Sequence, residues 1–149
     1  MSLGIKIIKG DMHTDDRGSI SYINDFDLTP IKRFYLIKHH NTTIVRAWRA
    51  HKIEQRWFRV TKGSFEIKLV RINNWQNPDR NLIQECIVLT YQDNVGLHVP
   101  KGFASRIKAC EENSELMVFA DYQVEHAKND NYLFPLDYFI GSITFINEN

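Results

Sequence analysis

Apolar and polar residues alternate with period two along most of this chain, in short segments broken by turn residues roughly every ten positions. No stretch of ten or more residues carries a convincing 3.6-residue apolar stripe, so the chain reads as all-β. Strands are expected at Ile5–Ile8, Ser19–Ile23, Lys32–Lys38, Ile44–His51, Trp57–Thr61, Ser64–Ile72, Leu82–Thr90, Val95–Val99, Ala104–Ala109 and Leu116–Tyr122. Turn chemistry separates them at Asp15-Asp16-Arg17-Gly18, Thr61-Lys62-Gly63, Gln92-Asp93-Asn94, Pro100-Lys101-Gly102 and Glu111-Glu112-Asn113. About ten short strands with no room for crossover helices must pair antiparallel and close into a sandwich or barrel. Ile140–Ile146 is apolar enough to add a strand over an edge, and a short helical turn is expected within Asn131–Phe139 near Pro135.

A length of 149 residues suits one domain spanning 1–149, and no repeat or linker interrupts it. The 19 basic residues against 18 acidic ones leave a net charge of +1, too little to hold nucleic acid or an anionic membrane by a general field. Any anionic ligand must therefore be gripped locally. Apolar runs such as Leu116 to Ala120 fall far short of the ~20 residues of a membrane span, and no signal-peptide stretch opens the sequence, so a cytoplasmic location is expected. Met1-Ser2-Leu3 are read as an expression-vector remnant and set aside. Cys86 and Cys110 are the only cysteines, with no CxxC pair, and are read as buried small hydrophobes rather than as a disulfide or zinc framework.

The segment Ile44–His51 carries the chemistry. On a regular strand Val45, Ala47, Arg49 and His51 share one face, while Arg46 and Trp48 point the other way. An arginine facing an interior is costly without an anion, so Arg49 implies a carboxylate or a ligand phosphate nearby. The competing arrangement inverts the strand, with Arg49 in solvent and Trp48 in the core.

The run Arg46-Ala47-Trp48-Arg49-Ala50-His51-Lys52, followed by Gly63-Ser64, resembles the R-G-x-H-A-H-K … G-S signature of the WxcM-like dTDP-4-keto-6-deoxyhexose 3,4-ketoisomerases. More distantly it is similar to the R-G-L-H segment of dTDP-4-dehydrorhamnose 3,5-epimerases. Asp16-Arg17-Gly18-Ser19, Ile31 to Tyr35, Val95 to Pro100, Leu116-Met117-Val118 and Asp121-Tyr122 extend the likeness in order along the chain. The resemblance implies a cupin-type double-stranded β-helix (jelly roll), a homodimer, and a nucleotide-linked deoxysugar as partner.

Two departures stand out against these patterns. The four ligand slots of a metal-binding cupin hold Arg49, His51, Arg56 and Ser105, and only His51 of these can coordinate, so neither a metal nor another cofactor is expected. Arg49 also occupies the position of a catalytic histidine, and an arginine cannot act as a base. The resemblance thus leaves His51 as the proton-transferring group, Arg49 as a stabiliser of the enediolate oxygen, and Tyr35 as an orienting or relaying hydroxyl. Arg17, Arg33 and Arg46 match positions near the diphosphate and nucleoside, and Arg56, Arg59 and His98 are assigned to the same ligand by position. The expected function is metal-independent isomerisation or epimerisation of a dTDP-4-keto-6-deoxyhexose. The alternative is a catalytically impaired cupin that binds a nucleotide sugar as a regulatory module.

Overall fold

The computed structural model of the protein describes residues 4–146; Met1-Ser2-Leu3 lie outside the described residues. Two sheets face one another. The first has the order β1 (Lys6–Lys9), β9 (Val95–Val99), β6 (Arg56–Lys62), β11 (Ser114–Ala120), β4 (Arg33–His39). The second runs β12 (Tyr132–Leu133), β5 (Val45–His51), β10 (Phe103–Ala109), β7 (Ser64–Arg71), β8 (Gln84–Thr90), β13 (Ile143–Phe145). This is an all-β sandwich, as the alternation implied, and a jelly roll of the cupin type, as the resemblance implied.

Inward residues of both sheets meet in one core, in which Phe58, Phe65, Ile67, Leu69, Leu97, Leu116 and Val118 are each 0% exposed. Burying each such side chain contributes about 1.5–3 kcal/mol. A second cluster lies on the outside of the six-stranded sheet, where Trp48 and Phe139 pack edge to face at 5.0 Å beneath the C-terminal segment. Backbone bonds between Trp48 and Phe134 hold that segment against β5 in both directions.

Glycine is required at two turns. Gly63, at φ +72°, joins β6 to β7, and a Cβ there would fall 2.1 Å from Ser114 Oγ. Gly102, at φ +93° in the Pro100-Lys101-Gly102 turn, donates its N–H to the His51 carbonyl and accepts from the Ile72 N–H, tying the ends of β5 and β7.

Four expectations are corrected. Cys86 is buried as expected, but Cys110 is exposed, because it lies in the bend that follows β10 rather than on an inward strand position. Asp11–Asp15 forms a strand, β2, although its composition is polar, because it pairs only with β3 (Gly18–Tyr22) in a separate hairpin with no core face to fill. Helix falls at α1 (Val124–Ala127) and a following 3₁₀ turn, Lys128–Asp130, rather than within Asn131–Phe139, where β12 lies. The extra strand expected in Ile140–Ile146 exists as β13, but it pairs parallel to β8; the chain from β11 to β13 supplies the crossover that strict antiparallel pairing left out. Among the described residues no helix is long and apolar enough to cross a membrane.

Candidate functional site

β4 ends one sheet, and among the described residues β5 is flanked at its outer side only along its second half, by β12 and Phe134, so the sandwich gapes between these strands. β4 turns Tyr35 and Ile37 inward onto the core and leaves Phe34 and Leu36 outside. On β5 the pairing with β10 slips: Ser105 faces Arg49, yet Ile107 faces Arg46, so one residue of β10 spans two of β5. This bulge breaks the period of two. The expectation that Arg46 points away with Trp48 is therefore corrected: Arg46 lines the same cavity as Arg49, while Trp48 is 1% exposed in the outer cluster.

Two adjoining chambers occupy the gape. One, of about 270 Å³, is lined by Arg33, Tyr35, Arg49, His51 and Arg56, with Lys128 and Asn131 from the 3₁₀ turn and its exit. The other, of about 470 Å³, shares Tyr35, Arg49 and Arg56 and adds Lys38, Arg46 and Ser105. Neither wall carries an aspartate or glutamate. The carboxylate that balances these cations sits behind them. Glu54, with a side chain 0% exposed, takes Arg33 Nη2 at 2.9 Å and Arg56 Nε at 2.6 Å. Both guanidiniums lie over the Tyr35 ring, at 5.3 and 5.9 Å from its centre. Arg46 donates through Nε to Nε2 of the buried His39 at 3.0 Å. Arg49 makes no side-chain hydrogen bond or ion pair among the described residues, so its guanidinium is free for a ligand.

His51 is 6% exposed and its Nδ1 is 2.7 Å from the backbone oxygen of Asp130. A carbonyl only accepts, so Nδ1 carries the proton and Nε2 presents a lone pair. Nε2 is buried without a hydrogen-bond partner, 3.7 Å from Glu54 Oε2. Burial, aided by the Arg56 charge, pushes the imidazole pKa down to about 4, against the opposing influence of Glu54 and Asp130. At neutral pH the ring is an unprotonated base that lines the cationic cavity, with Nε2 itself buried on the Glu54 side.

The four cupin ligand slots do converge: Arg49, Arg56 and Ser105 line the larger chamber, and His51, Arg56 and Ser105 meet in a cleft beneath it. Among the described residues no three His, Cys, Asp or Glu side chains gather into a ligand set.

Tyr35, Arg33, Arg46, Arg49, His51 and Arg56 thus come together, and three other candidates do not. Arg17 closes the β2–β3 hairpin, where its side chain is 83% exposed and held by Asp15 at 2.7 Å. Arg59 and His98 sit on the opposite face of their strands from the core residues Phe58, Val60, Leu97 and Val99, and His98 stacks on Trp57 outside the sheet. Glu54, Asp130, Lys128 and Asn131 escaped sequence reading. Glu54 lies in a turn after β5 and the others in the C-terminal segment, where no local pattern signals a contact 76 or more residues away.

Fold and site together define a cupin jelly roll whose open mouth is walled by cations around a neutral histidine. The chain belongs to the WxcM-like, C-terminal family (FdtA), whose family model matches residues 3–143. A solved 3,4-ketoisomerase from Helicobacter canadensis is 26% identical, with 87% of this chain and 90% of that one covered and a TM-score of 0.67. The WlaRB TDP-quinovose 3,4-ketoisomerase of Campylobacter jejuni is 25% identical over 91% of this chain and 96% of that one, with a TM-score of 0.68. The rmlC epimerase of Mycobacterium tuberculosis, 14% identical over 97% and 80% of the two chains, shares the fold at a TM-score of 0.74. No curated protein matches the chain.

Proposed function

We propose that this protein is a metal-independent sugar-nucleotide isomerase that interconverts the 3- and 4-keto forms of a dTDP-linked 6-deoxyhexose, the whole chain acting as one cytoplasmic domain. The observation that carries the reading is a cavity wall with cations and no carboxylate, onto which a neutral, buried histidine opens. Cations without acids suit a diphosphate, and a base with its lone pair free suits carbon acids next to a ketone.

In the reaction His51 Nε2 takes the proton from C3 of the 4-keto sugar. Electrons pass to O4, and Arg49 holds the enediolate oxygen. The imidazolium returns the proton to C4 as O3 gives up its own proton and becomes the ketone, with the Tyr35 hydroxyl as the relay between O3 and O4. One C–H and one O–H have moved, and no external oxidant or reductant is needed. Arg33, Arg46 and Arg56 take the nucleotide phosphates. Arg17 and the outward Arg59 and His98 have no part in a site built from one chain. A homodimer belongs to the same proposal, supported by Phe34 and Leu36, which stand 62% and 50% exposed on the outer sheet face.

Arg49 in place of a histidine favours a second reading, in which the cavity binds the nucleotide sugar without turning it over. The test is to mix the protein with dTDP-4-keto-6-deoxyglucose in heavy water and follow the sugar protons by NMR. Exchange at C3 that vanishes in His51→Ala supports the isomerase. Binding without exchange supports the module, and exchange at C5 as well overturns the ketoisomerase reading in favour of an epimerase.

A further inference from the structure

We propose that Asp130 is a positioning residue: through its own backbone and side chain together it fixes which nitrogen of His51 carries the proton. Asp130 is 1% exposed and ends the 3₁₀ turn Lys128–Asp130. Its carboxylate accepts three consecutive backbone N–H groups, from Lys52 at 2.7 Å, Ile53 at 3.0 Å to each oxygen, and Glu54 at 2.7 Å. The turn leaving β5 is thereby wrapped around one anion, a nest of N–H dipoles with no cationic partner among the described residues. The carbonyl of that same residue lies 2.7 Å from His51 Nδ1. Side chain and carbonyl are joined by two covalent bonds, so the clamp on residues 52–54 also places the acceptor that pins the ring.

The consequence is chemical. A free histidine side chain in water prefers its proton on Nε2, which would leave that nitrogen a donor rather than a lone pair. The Asp130 carbonyl reverses that preference. Glu54 is the second beneficiary, because its N–H is held by the clamp while its carboxylate receives Arg33 and Arg56. Asp130 itself lines neither chamber and reaches them only through His51, which separates its role from those of the groups around that ring: Arg49 on the same strand, Arg33 and Tyr35 on β4, Glu54 and Arg56 beside it, and Lys128 across the mouth.

The catalytic part of this inference rests on the isomerase reading; the tautomer does not, and the experiment keeps them apart. Long-range ¹H–¹⁵N NMR of the uniformly ¹⁵N-labelled protein near neutral pH reads the His51 tautomer with no substrate present. The expected spectrum has the proton on Nδ1; a proton on Nε2 overturns the proposal, and this measurement decides even where a variant fails to fold. In Asp130→Asn one acceptor oxygen becomes an NH₂ facing backbone N–H groups. The Nε2-protonated fraction is then expected to rise and kcat for C3 exchange to fall by on the order of 10- to 100-fold, with KM within about twofold. A D130N protein that keeps both the tautomer and kcat, whatever its melting temperature, overturns the proposal. A wild-type protein with no exchange on the sugar removes the isomerase reading but leaves the tautomer result standing.

Discussion

Nε2 of His51 lies 3.7 Å from Oε2 of Glu54, the same oxygen that Arg56 Nε grips at 2.6 Å. One buried carboxylate therefore stands between a fixed cation and a base that becomes a cation when it takes up a proton. The two neighbours act oppositely on the ring: Arg56 lowers its proton affinity and Glu54 raises it, with burial the larger effect. Glu54 offsets part of the cost of forming the imidazolium.

Removing that charge should be felt twice. In Glu54→Gln, Arg33 and Arg56 lose their anion, and breaking a buried pair from one side is expected to cost about 3 kcal/mol in urea unfolding. The His51 pKa should fall further, because the Arg56 charge is then uncompensated. A loss under about 1 kcal/mol, or a His51 titration midpoint that rises by NMR, contradicts this account.

The depressed His51 pKa gives a stability slope of definite sign. The native ring protonates at about 4, whereas an unfolded one does so near about 6.5. Between these values the unfolded chain binds a proton at this position that the native chain does not. The stability this group contributes is thus full above about pH 6.5 and lost as pH falls toward 4, by on the order of 3 kcal/mol. Urea unfolding of wild type and His51→Gln across that range isolates this group from the carboxylates that titrate alongside it. The wild type should lose more stability on acidification than the variant, and parallel slopes would refute the assignment.

Alternation was enough to read the two sheets, because a residue such as Leu116 or Phe58 on a half-buried strand has little choice of face. It failed at Arg46, where a bulge adds a residue to β5 and turns its side chain onto the face of Arg49. Nothing in Val45–His51 marks that bulge; it is set by pairing with β10, some 60 residues on. The motif around His51 was legible as a resemblance, as were Tyr35 and Arg33 one by one, but that they meet Arg56 around Glu54 was not. Arg59 and His98 were assigned by position alone, and position along the chain says nothing about which face a strand residue takes; both lie on the face away from the core. Glu54 and Asp130 were invisible for another reason: an isolated acidic residue in a turn has no periodicity, and neither the burial of Glu54 between Arg33 and Arg56 nor the reach of Asp130 to residues 51–54 leaves a mark in the local sequence.

Trp48 tests the bulge from its other side. Its ring packs on Phe139, its Nε1–H donates to the Leu136 carbonyl at 3.1 Å, and it is 1% exposed. Trp48→Ala should cost about 3–5 kcal/mol by denaturant unfolding. Hydrogen exchange should speed up first at the Trp48 and Phe134 amides, whose mutual bonds tie the C-terminal segment to β5. Uniform acceleration across both sheets would instead place Trp48 in the main core.

Arg49 separates binding from chemistry most directly. Arg33 and Arg56 are committed to Glu54, and Arg46 to His39, so substituting any of them disturbs a buried partner as well as the cavity. Arg49 is exposed and unpaired among the described residues. Arg49→Gln keeps a planar side chain and removes the charge, and stability should hold within about 0.5 kcal/mol. If the guanidinium stabilises the enediolate oxygen, C3 exchange should slow by on the order of 10²- to 10³-fold while nucleotide-sugar affinity changes far less, because the charge develops only in the transition state. If affinity drops and the exchange rate at saturation does not, Arg49 is a phosphate ligand and the oxyanion role passes to another group. Isothermal titration with dTDP alongside NMR exchange rates in heavy water distinguishes the two, since dTDP carries the phosphates and lacks the ketone.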